Sequence, residues 1–250
     1  MDIGPSRSAL RSLDVFEAFR QAGRPLSLSE VARLTDIPVS TCHGVVRSLQ
    51  QRGFLYNLSS KEMYPTRKLW ELAHEIDAHD PVAARLAPAL TALRDATNET
   101  TILGTRLGDA VMYLLVIESE QSIRYSSRAV EIKALHSSSI GKTMLGSLEE
   151  TALSDWLAAH PLPRITDRTI TAARRLKNDL DVSRARGYYV TRGENVADVM
   201  ALAAPVRIGT QTLGVAIAGP MHRMDPNEPM LASKLRQCVQ SMEQRDVEFR

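Results

Sequence analysis

The sequence predicts a two-domain fold, a winged helix-turn-helix over residues 1–66 followed by an α+β sheet domain over residues 81–250, with a linker helix at 67–80 between them. Three observations carry this. Three apolar stripes at helical spacing, closed by a short hairpin pattern, occupy the first seventy residues. After Asn98 the pattern changes to strand-like runs separated by both tight turns and long helical stretches. Charge is also uneven: residues 1–70 carry 10 Lys+Arg and 6 Asp+Glu (+4), and the remaining 180 carry 21 and 23 (−2). A basic head on a slightly acidic body is the electrostatic footprint expected of DNA binding.

The elements follow in order. Ala9, Leu13, Phe16 and Phe19 form the apolar stripe of a first helix, which Gly23-Arg24-Pro25 ends. Ser27 and Glu30 make a capping box for a short second helix with Leu28, Val31 and Ala32 inward, ending near Asp36-Ile37-Pro38. In the third helix Cys42, Val45, Val46 and Leu49 face the core. Its opposite stripe is Ser40, His43, Gly44 and Arg47, with short hydrogen-bonding groups first and a long donor one turn later. A helix that enters the major groove needs such a face. Gly53 stops it, and residues 54–56 and 63–64 flank a polar loop carrying Lys61, a hairpin wing.

Leu69 and Leu72, then Leu86, Leu90 and Leu93, predict two further helices broken at Asp80-Pro81. Strands are expected at 101–106, 111–117, 122–126, 188–191, 200–206 and 213–218, and helices at 140–148, 149–160, 171–186 and 231–242. No internal repeat or low-complexity segment stands out.

Composition narrows the function classes. No apolar run approaches bilayer length, and the first residues lack the layout of a signal peptide. Cys42 and Cys238 alone make neither a disulfide framework nor a zinc site. A cytoplasmic protein with no membrane partner, metal or cofactor is expected.

At this point the chain resembles the isocitrate lyase regulator (IclR) family. Ser8 to Phe19, with Ser8 and Arg11, is similar to the family's opening helix. Leu28 to Gly53 is similar to its helix-turn-helix, including Ser40-Thr41, His43 and the Arg-Gly-Phe-Leu run at 52–55. His136 to Lys142, Arg186-Gly187-Tyr188 with Glu194-Asn195, and Ala203-Ala204-Pro205 match three further signatures in order. The resemblance implies a ligand-responsive transcriptional regulator with a GAF-like effector-binding domain, acting on a double-stranded DNA operator as a homodimer paired into a homotetramer. Ser8, Arg11, Lys61 and Arg67 would join Ser40, Thr41, His43 and Arg47 at the DNA.

The departures are informative. Val39 and Gly44 stand where the family often has Lys and Arg, and Ala197-Asp198 replaces a usual Pro-Gly, so that turn is expected to be built differently. The resemblance places the effector pocket at Ser137, Ser138, Ser139 and Ile140 with Tyr125, Thr191, Ala201, Ala216 and Ala218. Three adjacent hydroxyls beside a helix start are expected to form an anion cradle, with at least one of them capping the helix. Thr191 replaces an acid and alanines replace other polar positions, which leaves an apolar wall unable to compensate the desolvation of a compact dianion. The expected effector is therefore an aromatic or hydrophobic carboxylate from a catabolic pathway, held by its polar end at the serines.

Several fragments mimic catalytic motifs. Gly141-Lys142-Thr143 resembles the end of a phosphate-binding loop, but His136 stands where the first glycine is required. Ser139 and Lys142 have the spacing of a serine nucleophile and its lysine base, without the companion motifs. His74 and His79 are five apart, about 140° around a helix, too far to share a metal. His160 and His222 have no evident partner in the sequence. The alternatives left beside a regulator are a hydrolase using Ser139 and Lys142, and an effector-independent DNA-binding protein. A second domain of this size disfavours the latter.

Overall fold

The computed structural model describes residues 7–248, with side chains described for 10–81 and 84–244. The chain divides into two compact units, Met1–Asp80 and Pro81–Arg250.

The first unit packs α1 (Arg7–Ala22), α2 (Leu28–Thr35) and α3 (Val39–Gln51) around Val15, Phe19, Val31, Cys42, Val46 and Leu49. The capping box forms: Ser27 Oγ accepts the Glu30 amide at 3.3 Å, and the Glu30 carboxylate accepts the Ser27 amide at 2.9 Å. The Ser27 amide and then Arg24 lower the Glu30 pKa to about 2. Asp36, left-handed at φ 52°, ends α2. The wing is β2 (Leu55–Asn57) with β3 (Glu62–Pro65), and β3 also pairs with a two-residue β1 (Leu26–Ser27) that no sequence periodicity announces. The helix α4 (Lys68–Ala78) follows.

One expectation about α1 is corrected. Leu13 is 62% exposed, and Leu10 is exposed too, whereas Val15, Ala18 and Phe19 are buried. Leu13 and Val15 lie about 160° apart on the helix, so both flanks are apolar and contact with α2 and α3 decides which one is buried. Ala9 lies outside the described side chains.

The second unit is a three-layer sandwich. Its fully antiparallel sheet runs β6-β5-β4-β9-β8-β7, formed by β4 (Thr100–Leu107), β5 (Ala110–Ile117), β6 (Ile132–Ala134), β7 (Tyr189–Arg192), β8 (Val199–Ile208) and β9 (Gln211–Pro220). Strand alternation sends Leu103, Val190, Met200, Leu202, Val215 and Ile217 to one face. There they pack on Leu86, Leu90 and Leu93 of α5 (Pro81–Thr97) and on Leu231, Leu235 and Met242 of the C-terminal helix Glu228–Glu248. The other face presents Ile102, Tyr189, Ala203, Ala216 and Ala218 to α6 (Ser139–Gly146), α7 (Glu150–Ala159) and α8 (Ala173–Arg186).

The strand expected at 122–126 is absent, and β6 begins six residues beyond 126 instead. Residues 118–131 are held by side chains: Ser126 Oγ donates to Glu118 at 2.5 Å, and Thr100 Oγ1 donates to the Tyr125 carbonyl at 2.5 Å. His160 does have a partner. Its Nε2 lies 3.1 Å from Asp109, and its ring stacks on Trp156 at 4.7 Å. At the Ala197-Asp198 turn, Asp198 takes φ 61°, a left-handed conformation that Asp tolerates better than most residues.

Candidate functional site

Two sites come from these frames. The first is the outer face of α3. Ser40, His43, Gly44 and Arg47 are exposed along it and Thr41 is half-buried at its edge. Pro38 precedes the helix without a side-chain cap, so its first amides stay open to a phosphate. The Gln50 amide donates to Asn57 Oδ1 at 2.7 Å and ties the end of α3 to the wing. Lys61 is exposed in the turn between β2 and β3. Arg67, at the start of α4, holds its guanidinium 5.3 Å over the Trp70 ring while remaining exposed. Arg11 is half-buried on α1, and Ser8 is in the same helix with its side chain outside the described residues.

The second site is a pocket between the sheet and the start of α6, with about 380 Å³ of empty space partly open to solvent. Its floor is built by register. Thr191 pairs with Ala201 and Ala201 with Ala218 in one row, and Ala203, Ala216 and Ile102 continue the next. Small alanine side chains leave depth below α6 where larger residues would fill it. The walls are Tyr113, Tyr125 and the segment carrying Asn195, Val196 and Val199.

The helix α6 reaches this floor because nothing stands in its way. Gly141 has no room for a Cβ, which would lie 2.3 Å from the Leu135 carbonyl oxygen. The side chain of Ile140 fills the space above Gly214, whose added Cβ would meet it at 2.6 Å.

Seven of the nine expected pocket residues line it: Tyr125, Ser138, Ser139, Thr191, Ala201, Ala216 and Ala218. Ser137 and Ile140 do not. Ile140 is buried against the sheet glycines, and Ser137 Oγ is taken by Asn195, whose Nδ2 donates to it at 3.0 Å.

The three serines therefore do different work. Ser138 is the N-cap of α6; its Oγ accepts the Gly141 amide at 3.2 Å and donates to the Ala134 carbonyl at 2.7 Å. Only Ser139 keeps a hydroxyl without a hydrogen-bond partner among the described residues, and it lines the pocket. The first two amides of α6, those of Ser139 and Ile140, have no carbonyl one turn back and are not capped by Ser138. Hydroxyl and amides together suit an anion. Burial, and then Tyr125, push the Tyr113 hydroxyl far up, so it stays a neutral hydrogen-bonding group at any physiological pH.

Sequence reasoning did not assign Ile102, Tyr113, Asn195, Val196 or Val199 to the pocket. Ile102 was within reach, because antiparallel pairing with Ala216 places it on the same face. Asn195 was visible as part of a signature, without a role. Among the described residues no cluster of His, Cys, Asp or Glu could hold a metal, and no helix is long and apolar enough to cross a membrane.

Comparisons with known proteins agree across the chain. The model of the IclR helix-turn-helix domain matches residues 8–59, and that of the bacterial transcriptional regulator IclR C-terminal domain matches residues 74–244. The HTH-type transcriptional regulator BhcR of Paracoccus denitrificans is 32% identical over 228 residues, 89% of this chain and 81% of BhcR. The crystal structure of the Thermotoga maritima IclR superposes with a TM-score of 0.70 at 25% identity, covering 94% of this chain and 98% of that one. An IclR homolog from Microbacterium hydrocarbonoxydans, crystallised in complex with 4-hydroxybenzoate, gives 0.78 at 22% identity, covering 97% and 100%.

Proposed function

The chain belongs to the IclR family of bacterial transcriptional regulators, and from that premise we propose that an aromatic or hydrophobic carboxylate in the α6 pocket controls its grip on a near-palindromic operator. It is a ligand-responsive DNA-binding regulator and not an enzyme. The observation that carries the effector class is the contrast within one pocket, an alanine floor beside the unbonded hydroxyl of Ser139 at the start of α6. The carboxylate would sit at Ser139, with Asn195 beside it, and the apolar body over Ala201, Ala216 and Ala218. Ser137 and Ser138 would act through geometry, since their hydroxyls are already engaged.

At the DNA, Ser40, Thr41, His43 and Arg47 would read base edges, and Arg11, Lys61 and Arg67 would hold phosphates. Ser8 would join them from the start of α1. Residues 67–80 would act as linker between the DNA-binding domain and the effector domain at 81–250. Two copies would place their α3 helices in successive major grooves, with a second pairing making the tetramer. Reading operators places the protein in the cytoplasm. The ligand can alter DNA affinity only by favouring one spacing of the paired heads over another.

The test is isothermal titration of the full chain with benzoate, 4-hydroxybenzoate, glyoxylate and pyruvate, followed by operator binding with and without the ligand. We expect an aromatic acid to bind, to raise the melting temperature by mass action and to shift operator affinity. Binding of glyoxylate or pyruvate alone would overturn the effector class.

A further inference from the structure

The most unusual side chain in the second unit is Lys142, on α6 one turn beyond the pocket serine. It is 0% exposed, the largest fully buried side chain among the described residues. Lysine is among the residues least often buried, because removing an ammonium from water is costly unless it is paired. Here it is paired twice. Nζ donates to Glu194 Oε1 at 2.8 Å and to the Val190 carbonyl at 3.3 Å, and it lies 2.8 Å from Asp179 Oδ2 on α8. Glu194 is buried and its Oε2 has no hydrogen-bond donor, so Lys142 is the charge that compensates this carboxylate, with the half-buried Asp179 as its second partner.

The contact reaches the pocket in one step. Glu194 precedes Asn195, which lines the pocket and holds Ser137, and Val196 lines it as well. The same segment is gripped from behind, since Thr166 Oγ1 donates to the Gly193 carbonyl at 2.5 Å and Thr169 Oγ1 to the Glu194 carbonyl at 2.7 Å. The backbone is thus held by threonine hydroxyls, and the Glu194 side chain by one ammonium on the helix that carries Ser139.

We propose that Lys142 is the positioning residue of the effector pocket, locking the 193–196 wall and α8 to α6 so that Asn195 and Ser139 face the same ligand. This rests on the reading of the pocket as the effector site. No role in bond-making is assigned to Lys142, whose ammonium is enclosed by carboxylates and a carbonyl. The charged and titratable groups around it are Asp179 on α8, Glu194 after β7, and His136 before α6, whose pKa is lowered first by burial and also by Lys142 itself. Burial already raises Glu194 against the pull of Lys142, so without the ammonium Glu194 would rise further and take up a proton more readily.

The experiment compares the full-length wild type with Lys142→Met, Glu194→Gln and the all-neutral Lys142→Met/Asp179→Asn/Glu194→Gln chain. Amide hydrogen exchange is measured on the unliganded proteins at pH 6 and pH 8, and titration with 4-hydroxybenzoate is done separately. In Lys142→Met the buried Glu194 and the half-buried Asp179 lose their counter-charge, and exchange at residues 193–197 should rise about tenfold or more at pH 8. Relative to the wild type at the same pH, this rise should be smaller at pH 6, where Glu194 takes up a proton more readily, while the C-terminal helix Glu228–Glu248 stays protected at both. Glu194→Gln, which keeps an acceptor for Nζ, should exchange like the wild type. The all-neutral chain should be protected at both pH values, and it carries the test if Lys142→Met does not fold. A pH-independent loosening of the whole second unit, or unchanged exchange at 193–197, would overturn the proposal. Failure of 4-hydroxybenzoate to bind the wild type would count against the effector reading, while the exchange result would still decide the role of Lys142.

Discussion

At the scale of single residues, Ser138 and Ser139 separate what a run of serines leaves merged. Adjacent in sequence and both nearly buried, they differ in what their hydroxyls already hold. Ser138 satisfies the amide of Gly141 and the carbonyl of Ala134, while Ser139 faces the pocket unbonded. Ser138→Ala should therefore lower stability by about 1 kcal/mol, the usual cost of losing an N-cap. Ser139→Ala should leave the melting temperature within the small range of neutral substitutions and weaken binding of an aromatic acid by about tenfold, the share of one hydrogen bond to a charged group. Thermal denaturation and calorimetric titration of both variants check this. Equal effects of the two substitutions on ligand affinity would show that the hydroxyls act alike. Sequence could identify three serines at a helix start and anticipate that one caps. Which one depends on where the helix begins, and here Ser138 takes the N-cap position.

At the scale of elements, α3 was the most legible because two independent patterns overlap on it. Its inward stripe, Cys42, Val46 and Leu49 buried with Val45 partly so, is fixed by helical spacing, and this leaves Ser40, His43 and Arg47 outside. The capping box of α2 was legible for a similar reason, since Ser27 and Glu30 satisfy each other locally. Local spacing misled where tertiary contact decides. The alternation around Tyr125 suits a strand, yet Glu118 and Thr100 hold that stretch as a loop, and the pairing goes to three residues, Ile132–Ala134, too few to show a period. On α1, two apolar flanks gave no local reason to prefer Val15 over Leu13. In the pocket, the residues of α6 and of the floor could be found from motif and register, whereas Tyr113 and Asn195 arrive from other elements and became visible only in three dimensions. The exposed face of α3 also carries a prediction. Arg47→Ala should remove about 1–3 kcal/mol of specific operator binding, if the guanidinium pairs with a guanine, and relax preference at that position. Selection of binding sites from a random DNA pool, run on both proteins, would reveal it, and identical preferred sequences would assign Arg47 to a phosphate or to no contact.

At the scale of the whole molecule, the apolar surface that the first unit leaves in water argues for assembly. No residue of α4 is buried, although Leu69, Leu72 and Ile76 fall at i, i+3 and i+7 on one side of the helix, with Leu72 45% and Ile76 65% exposed. An eleven-residue helix does not hold such a seam open by propensity alone. The spacing is that of a helix that packs along its length against another, and a self-complementary seam is what a two-fold contact requires. Leu10 and Leu13 add exposed apolar surface on α1, on the flank opposite Val15. We expect Leu72→Glu/Ile76→Glu to break this pairing, because two like charges would then face their copies across an apolar seam. Their side chains touch neither the core of the first unit nor the pocket, so melting of the isolated subunit and ligand binding should survive. Sedimentation should show the mass of the pairing unit halved. Operator affinity should fall by a factor of about 10²–10⁴, because the second half-site would no longer be engaged at high effective concentration. A double variant that keeps its mass and its operator affinity would move the dimer contact away from α4. The flank of α1 carrying Leu10 and Leu13 would then be the next surface to charge.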